Sequence, residues 1–148
     1  MPIAPRRQVY LYAAAALLSL VGLADAIYLT VEHLAGRAVR CTITSGCEEV
    51  LTSSYATIGG VPLAALGAFA YFIVFSLAIL AIFNNQTART LLFYIVALML
   101  AFTIWLFIVQ AFVLHAFCQF CLLSGAVMLL LSLIAATDRF YFKRTAKV

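Results

Sequence analysis

Four long stretches with almost no charge limit what this chain can fold into. They cover residues 9–31, 61–83, 91–114 and 116–137, and each is long enough to cross a bilayer, which takes about 20 residues of helix. Hydrophobic residues make up 67% of the 148 and charged residues only 9%, too little polar surface for a water-soluble domain. The ten-residue alternation of a transmembrane barrel is missing. The sequence therefore predicts an all-α membrane protein, a four-helix bundle forming one domain over residues 1–148.

The basic residues predict how this bundle is oriented. Seven flank the predicted spans on one side: Arg6, Arg7, Arg89, Arg139, Lys143, Arg144 and Lys147. Only Arg37 and Arg40 lie on the other side. Because positive charge is retained on the cytoplasmic side, both termini are expected in the cytoplasm and residues 32–60 outside, in an oxidising compartment. We therefore expect a multi-pass protein of the cell inner membrane, with its active site on the extracytoplasmic side.

The first span allows a second interpretation. Arg6-Arg7, an apolar run and Ala24-Asp25-Ala26 also fit a cleavable signal peptide. The run continues to Val31, however, which favours a full span. Asp25 is the one acid within the predicted spans, either an interfacial carboxylate or a contact for a proton or a quinone.

Two pairs of cysteines carry the most specific chemistry. Cys118 and Cys121 are spaced i and i+3, so on a helix they lie on neighbouring turns and can form a disulfide. Cys41 and Cys47 enclose five residues, including Gly46, which permits a tight turn, and can close a small exposed disulfide. The predicted orientation puts all four on the outer face of the membrane.

Three interpretations of these cysteines compete. Zinc would need all four sulfurs to converge, although the five-residue spacing is wider than usual zinc pairs. Two structural disulfides are possible, but a bridge within consecutive helical turns constrains almost no chain. The third is a relay, in which an exposed pair exchanges with a protein dithiol and a buried pair reaches a lipid-soluble oxidant.

The outer connection is expected to cover the bundle. Residues 48–55 are polar on one side and apolar on the other, which predicts a short helix lying on the membrane surface as a lid. Arg37 and Arg40, just before Cys41, would favour its thiolate. His33 and His115 are interpreted as interfacial residues, with a catalytic proton role as the alternative.

Three runs of the sequence resemble the vitamin K epoxide reductase family in its bacterial and archaeal form. They are CEEVLTSSYAT from Cys47, with Cys41 six residues earlier, GVPLA from Gly60, and FCQFCLLS from Phe117. The resemblance extends from the first span to the end of the fourth. It implies a membrane thiol-disulfide oxidoreductase that makes disulfides, with a separate thioredoxin-fold (DsbA-like) partner because no such domain follows residue 148.

The resemblance also implies roles for individual residues. Cys41 would exchange with the reduced partner, and Cys47 would then attack the Cys118–Cys121 disulfide at Cys118. Cys121, released as a thiolate, would pass electrons to a bound quinone, menaquinone or ubiquinone. Ser53 matches the family's serine beneath the lid, placed to bind near the quinone; its alternative role is a helix cap or turn residue.

Two positions depart from the vertebrate enzymes of that family. Those enzymes have an asparagine near the start of the second span and a tyrosine four residues after the last cysteine, where this chain has Pro62-Leu63 and Gly125. Quinone reduction is therefore expected rather than reduction of the epoxide. The alternative function is a non-catalytic membrane scaffold with structural or metal-binding cysteines.

Overall fold

Helices dominate the computed structural model, which describes residues 3–145 and their side chains as far as Tyr141. In chain order the helices are α1 (Arg6–Leu34), α2 (Cys47–Thr52), α3 (Leu63–Ile82), α4 (Gln86–Ile108) and α5 (Gln119–Thr145). A π-helical segment, Val109–Leu114, continues α4. Four helices are long and apolar enough to cross a membrane, over Arg6–Leu34, Leu63–Ile82, Gln86–Leu114 and Gln119–Tyr141. The predicted four-helix membrane bundle is confirmed.

Small residues on α1 bring the helices close together. Ala15, Ser19, Gly22 and Ala26 are all buried, and their spacing of three or four residues places them on one face of α1. A Cβ atom at Gly22 would overlap the ring of Tyr71 on α3. α1 therefore packs tightly on α3, while α5 packs on both α1 and α4.

The connection between α1 and α3 folds over one end of the bundle. After α2 comes a 3₁₀ turn, Ser54–Ala56, and then a two-residue hairpin of β1 (Thr57–Ile58) and β2 (Val61–Pro62). Thr57 pairs with Pro62 and Ile58 with Val61. Gly59 and Gly60 make the turn with φ of 59° and 83°, which glycine adopts without strain. The short lid helix is present as α2, and Val61–Pro62 belongs to the hairpin rather than to the second span.

The third and fourth long helices differ from the predicted spans at their ends. α4 begins five residues before Leu91, at Gln86, where the Asn85 side chain accepts a hydrogen bond from the Ala88 N–H at 3.1 Å. α5 begins at Gln119 rather than at 116 and continues beyond Thr137 to Thr145. Arg89 and Asp138 lie in these added helical turns, and both find partners inside the bundle.

Those partners form a buried cluster at the end of the bundle away from the cysteines. Arg89 Nη2 pairs with Asp138 Oδ1 at 2.9 Å, and Arg89 Nε donates to the Tyr12 hydroxyl at 3.0 Å. Tyr12 donates in turn to Asp138 Oδ2 at 2.5 Å. Arg89 was expected in the connection before the third span, and Asp138 beyond the fourth. Both are instead buried and join α1, α4 and α5.

Candidate functional site

The loop before α2 holds a closed disulfide. Cys41 and Cys47 are bonded to each other, with their Cα atoms 5.5 Å apart. The Thr44 hydroxyl donates a hydrogen bond to Cys41 Sγ at 3.1 Å. Cys41 is partly exposed and Cys47 is buried, so Cys41 is the more accessible of the two sulfurs.

The second pair is reduced and lies at the start of α5. Cys118 and Cys121 are free thiols, the first buried and the second half-buried. Cys118 precedes the helix, rather than lying in its first turn, and its carbonyl accepts from the Leu122 N–H at 3.0 Å. This is the position from which a side chain faces the free N–H groups of a helix.

Three of the four sulfurs meet at one point. The Sγ atoms of Cys41, Cys47 and Cys118 all lie within 4.8 Å of one another. Such spacing also occurs in metal sites, but Cys41 and Cys47 are bonded to each other here and would have to be reduced to thiolates before they could bind zinc. The arrangement places Cys118 where it can exchange with the loop disulfide.

Gly46 allows this approach. A Cβ atom at Gly46 would lie 2.8 Å from the Phe117 backbone nitrogen and 2.9 Å from the Ala116 Cβ. The backbone before α2 therefore rests directly on the backbone before α5. Gly46 has a φ of −97°, so close packing, rather than the turn geometry expected from the sequence, is the reason that only glycine fits.

Gln119, between the two cysteines of the second pair, holds the loop in place. Its Oε1 accepts from the backbone N–H groups of Thr42 at 3.0 Å and Ile43 at 2.8 Å. The residue after Cys41 is thus attached to the residue after Cys118. Sequence analysis missed this contact, because a glutamine between two cysteines gives no sign of its partner.

Gln110 supports Cys118 from the other side. The side chain is buried, and its Oε1 accepts from the Cys118 N–H at 3.2 Å. Its backbone carbonyl accepts from the Ala116 N–H at 3.1 Å. Gln110 was also missed, although it is the only amide side chain in the predicted span 91–114. An isolated amide in a membrane span is the signal that could have identified it.

A cavity of about 450 Å³ opens beside Cys121. Its walls are mostly apolar, and the polar or titratable side chains among them are Asp25, His33, Ser53, Tyr55, Tyr71, Thr103, Gln110, Cys121 and Ser124. Cavities of this size and composition bind small, largely apolar molecules. Cys121 thus faces the cavity, while Cys118 faces the loop disulfide.

Ser53 lies in the wall of this cavity at the end of α2. Its hydroxyl donates to the Val50 carbonyl at 2.7 Å, as expected for a residue that ends a helix. Two other lining residues, Tyr71 and Ser124, are hydrogen-bonded to each other through their hydroxyl oxygens at 2.7 Å. Hydroxyl groups from the end of α2, from α3 and from α5 thus line the cavity.

The charges around the cysteines differ from those expected. Arg37 was expected to favour the Cys41 thiolate, but it forms a two-bond pair with Glu32, both bonds 2.8 Å long. His33 lines the cavity, whereas His115 is exposed in a left-handed turn with a φ of 49° and is not among the lining residues.

Cys118 has an altered pKa. A hydrogen bond from the Cys121 thiol lowers the pKa of Cys118 from its ordinary value of 9.0 to about 7, against the opposing effect of burial. The N–H groups of Phe120 and Cys121, at the start of α5, contribute to this lowering of the Cys118 pKa. Cys118 is therefore the more readily ionised thiol and a good leaving group in exchange.

Comparison with protein-family models matches most of this chain to one family. The model of the vitamin K epoxide reductase family covers residues 13–136 of the 148, including all four cysteines. A search of curated proteins finds no match. Proteins of this family are membrane oxidoreductases of disulfide chemistry that generally use a quinone and a thioredoxin-like partner. With most of its length matched and four spanning helices, this multi-pass membrane protein belongs to the vitamin K epoxide reductase family.

Proposed function

We propose that this protein makes disulfides by oxidising a separate thioredoxin-fold partner and reducing a membrane quinone, menaquinone or ubiquinone. This proposal rests on the placement of the second cysteine pair, Cys118 and Cys121. Cys118 Sγ lies within 4.8 Å of the loop sulfurs, while Cys121 lines the cavity. In this position, Cys118 can exchange with the loop pair and Cys121 can pass electrons to a quinone in the cavity.

The first step exchanges the partner's dithiol with the loop disulfide. A partner thiolate attacks Cys41 Sγ, the more accessible sulfur, and releases Cys47 as a thiolate. Attack by the second partner thiol on the mixed disulfide releases Cys41 and leaves the partner oxidised. The loop pair has then gained two electrons.

The second step moves those electrons inward. Cys47 attacks Cys118 in the Cys118–Cys121 disulfide, forms a Cys47–Cys118 bond and releases Cys121 facing the cavity. Cys41 then attacks Cys47, which restores the loop disulfide and releases Cys118. The observed state, with the loop pair oxidised and the second pair reduced, matches the product of this step.

The cavity suits a quinone as the final acceptor. Its apolar walls fit a lipid-soluble ring, and the hydroxyls of Ser53 and Tyr71 lie in those walls, each hydrogen-bonded within the protein. Gly125 accommodates the ring of Phe107, since a Cβ atom there would overlap it. An aromatic ring thus occupies the space that a larger residue at position 125 would need, which supports a pocket closed by apolar contacts.

The orientation is part of the proposal. Seven basic residues on one side against two on the other support cytoplasmic termini in the cell inner membrane, with the four cysteines outside. A single domain over residues 1–148 would then work with a partner in the extracytoplasmic space.

The test is quinone reduction by the purified protein, driven by a reduced thioredoxin-fold dithiol protein and measured with menaquinone and ubiquinone analogues. Cys121→Ala is expected to abolish turnover, while Thr137→Ala, an exposed change on the same helix, is expected to preserve it. Turnover retained in Cys121→Ala would refute the relay. An inactive native protein that carries stoichiometric zinc would instead favour the scaffold with metal-binding cysteines.

A further inference from the structure

Asp25 is the only carboxylate among the described residues that line the cavity. It lies on α1 with Leu29 and His33, four and eight residues further on, and all three face the cavity. None of the hydrogen bonds or ion pairs found among the described residues involves Asp25. A carboxyl group in mostly apolar surroundings near the bilayer is costly, so its position calls for a function.

Asp25 is near the thiols that would reduce the quinone. Cys121 lines the same cavity, and the charge of Asp25 is close enough to act on Cys118 as well. Tyr71, which also lines the cavity, is already hydrogen-bonded to Ser124. Asp25 therefore lies near the thiols, and its carboxyl group takes part in none of the hydrogen bonds or ion pairs found among the described residues.

We propose that Asp25 carries the proton between the Cys121 thiol and the quinone oxygen. This inference rests on the proposed function, since it concerns the final electron transfer. The Cys118 thiolate and the Cys121 thiol form their disulfide and give two electrons to the quinone. The S–H bond of Cys121 breaks and an O–H bond forms on the quinone, which becomes a hydroquinone monoanion and takes its second proton from water.

The Asp25 carboxylate accepts the Cys121 proton as the disulfide forms and, once protonated, donates it to the quinone oxygen. Charge is balanced, because one negative charge moves from Cys118 to the hydroquinone. Asp25 returns to its starting form after each turnover.

The other titratable groups around the cavity are an imidazole, two phenols and a thiol. They are His33 on α1, Tyr71 on α3, Tyr55 in the 3₁₀ turn and Cys121 on α5. Among the described residues, α4 and the π segment contribute no titratable residue to the cavity wall. Phenol groups hold their protons too firmly to exchange them at neutral pH.

The experiment separates this step from the rest of the relay. The protein is reduced to the observed state, with the loop disulfide intact, and mixed with ubiquinone-1 or menadione in a stopped-flow instrument. Asp25→Asn is expected to slow quinone reduction about 100-fold, the usual contribution of a positioned proton-transfer group. Asp25→Glu should recover most of the rate. Glu32→Gln, a carboxyl change on the same helix outside the cavity, should leave it unchanged.

Two readouts besides activity test the proton directly. Quinone affinity, measured by equilibrium binding, should change less than the rate in Asp25→Asn. Time-resolved infrared spectra of native protein during quinone reduction should contain a transient carboxyl signal that Asp25→Asn removes and Glu32→Gln keeps. Exchange between the partner and the loop disulfide should proceed normally in every variant.

The outcomes distinguish the two proposals. If native protein reduces quinone and Asp25→Asn does so at the same rate, or if the carboxyl signal survives in that variant, the role of Asp25 is refuted and the relay stands. If Asp25→Asn loses quinone affinity as much as rate, Asp25 binds the quinone and does not carry its proton. If native protein reduces no quinone, the proposed function fails first.

Discussion

The two ends of the bundle each contain a polar cluster, and the clusters are built in different ways. Tyr12, Arg89 and Asp138 belong to three long helices, and each bonds to the other two. The cysteine end depends on a loop, which contacts the start of α5 through Gly46 and Gln119. About 30 Å of helix separates the clusters, at 1.5 Å per residue between Arg89 and Gln110.

The difference separates stability from reactivity. Side chains fixed on helices satisfy one another permanently and hold three helices at one end. Sulfurs carried on a loop and on the residue before a helix can approach, exchange and separate. We therefore expect changes at the first cluster to affect unfolding most, and changes at the second to affect electron transfer most.

The largest effect is expected from Arg89→Met. This change leaves Asp138 buried without its cation, which should lower the free energy of unfolding by about 3 kcal/mol. Unfolding in mixed micelles measures it, with Arg139→Met as the control. Arg89→Met combined with Asp138→Leu should recover much of the loss, because no unpaired charge remains. Loss of quinone reduction in the folded Arg89→Met protein would contradict the separation of the two ends.

Gly46→Ala is expected to slow thiol–disulfide exchange while changing stability little, the reverse of what is expected for Arg89→Met. The added Cβ pushes the loop away from Ala116 and Phe117, so exchange between Cys47 and Cys118 should slow by about 100-fold, the cost of displacing reacting atoms by about 1 Å. Stability should change little. Rapid-quench trapping of the Cys47–Cys118 bond gives the rate. Gly67→Ala is the control, since its Cβ would meet only the Ala26 Cβ at 4.0 Å. An unchanged exchange rate would show that the backbone contact is not needed.

The pH dependence of Cys118 tests the electrostatics of the cysteine end. Its lowered pKa means that thiolate forms as the pH rises through about 7 instead of 9.0. Cys121→Ala removes the S–H donor, so the midpoint should move upward and the thiolate fraction at neutral pH should fall. Ultraviolet absorbance of the thiolate follows the titration, with Cys118→Ser as the blank. An unchanged titration midpoint in Cys121→Ala would mean that the N–H groups of α5 alone lower the pKa of Cys118.

Gln119→Leu is expected to have the smallest effect. It removes the acceptor for Thr42 and Ile43, a loss of about 1 kcal/mol for each hydrogen bond. Hydrogen exchange at these two amides should accelerate while exchange in α1 is unchanged. Gln119→Glu keeps an acceptor and serves as the control. Equal protection in the Leu variant would mean that the disulfide alone holds the loop.

Sequence reasoning worked where the signal is carried by composition or by spacing. Apolar stretches long enough to cross a bilayer predicted the four helices, and the cysteine spacing with its flanking runs identified the family. These signals are local, so each can be interpreted without knowledge of the partner residues.

The missed features all depend on contacts between distant residues. Arg89 was assigned to the connection between the second and third spans, and its 49-residue separation from Asp138 hides the ion pair. Gln119 bonds to the backbone 76 residues earlier, at Ile43. Gly46 was correctly noticed, but its clash with Phe117 becomes visible only when the two segments are folded together.

The π segment Val109–Leu114 gives this region a fixed length requirement. A π turn contains one more residue than an α turn, so it behaves as a single-residue insertion within a helix. Deleting one residue after Gln110 would let the segment close as an ordinary α-helix and would shorten the chain between Gln110 and Cys118 by one residue. The amide of Gln110 would then no longer reach the Cys118 N–H, although hydropathy would still describe four intact spans. Among related sequences, the number of residues between positions 108 and 118 would thus separate chains that can assemble this site from chains that only share its membrane topology.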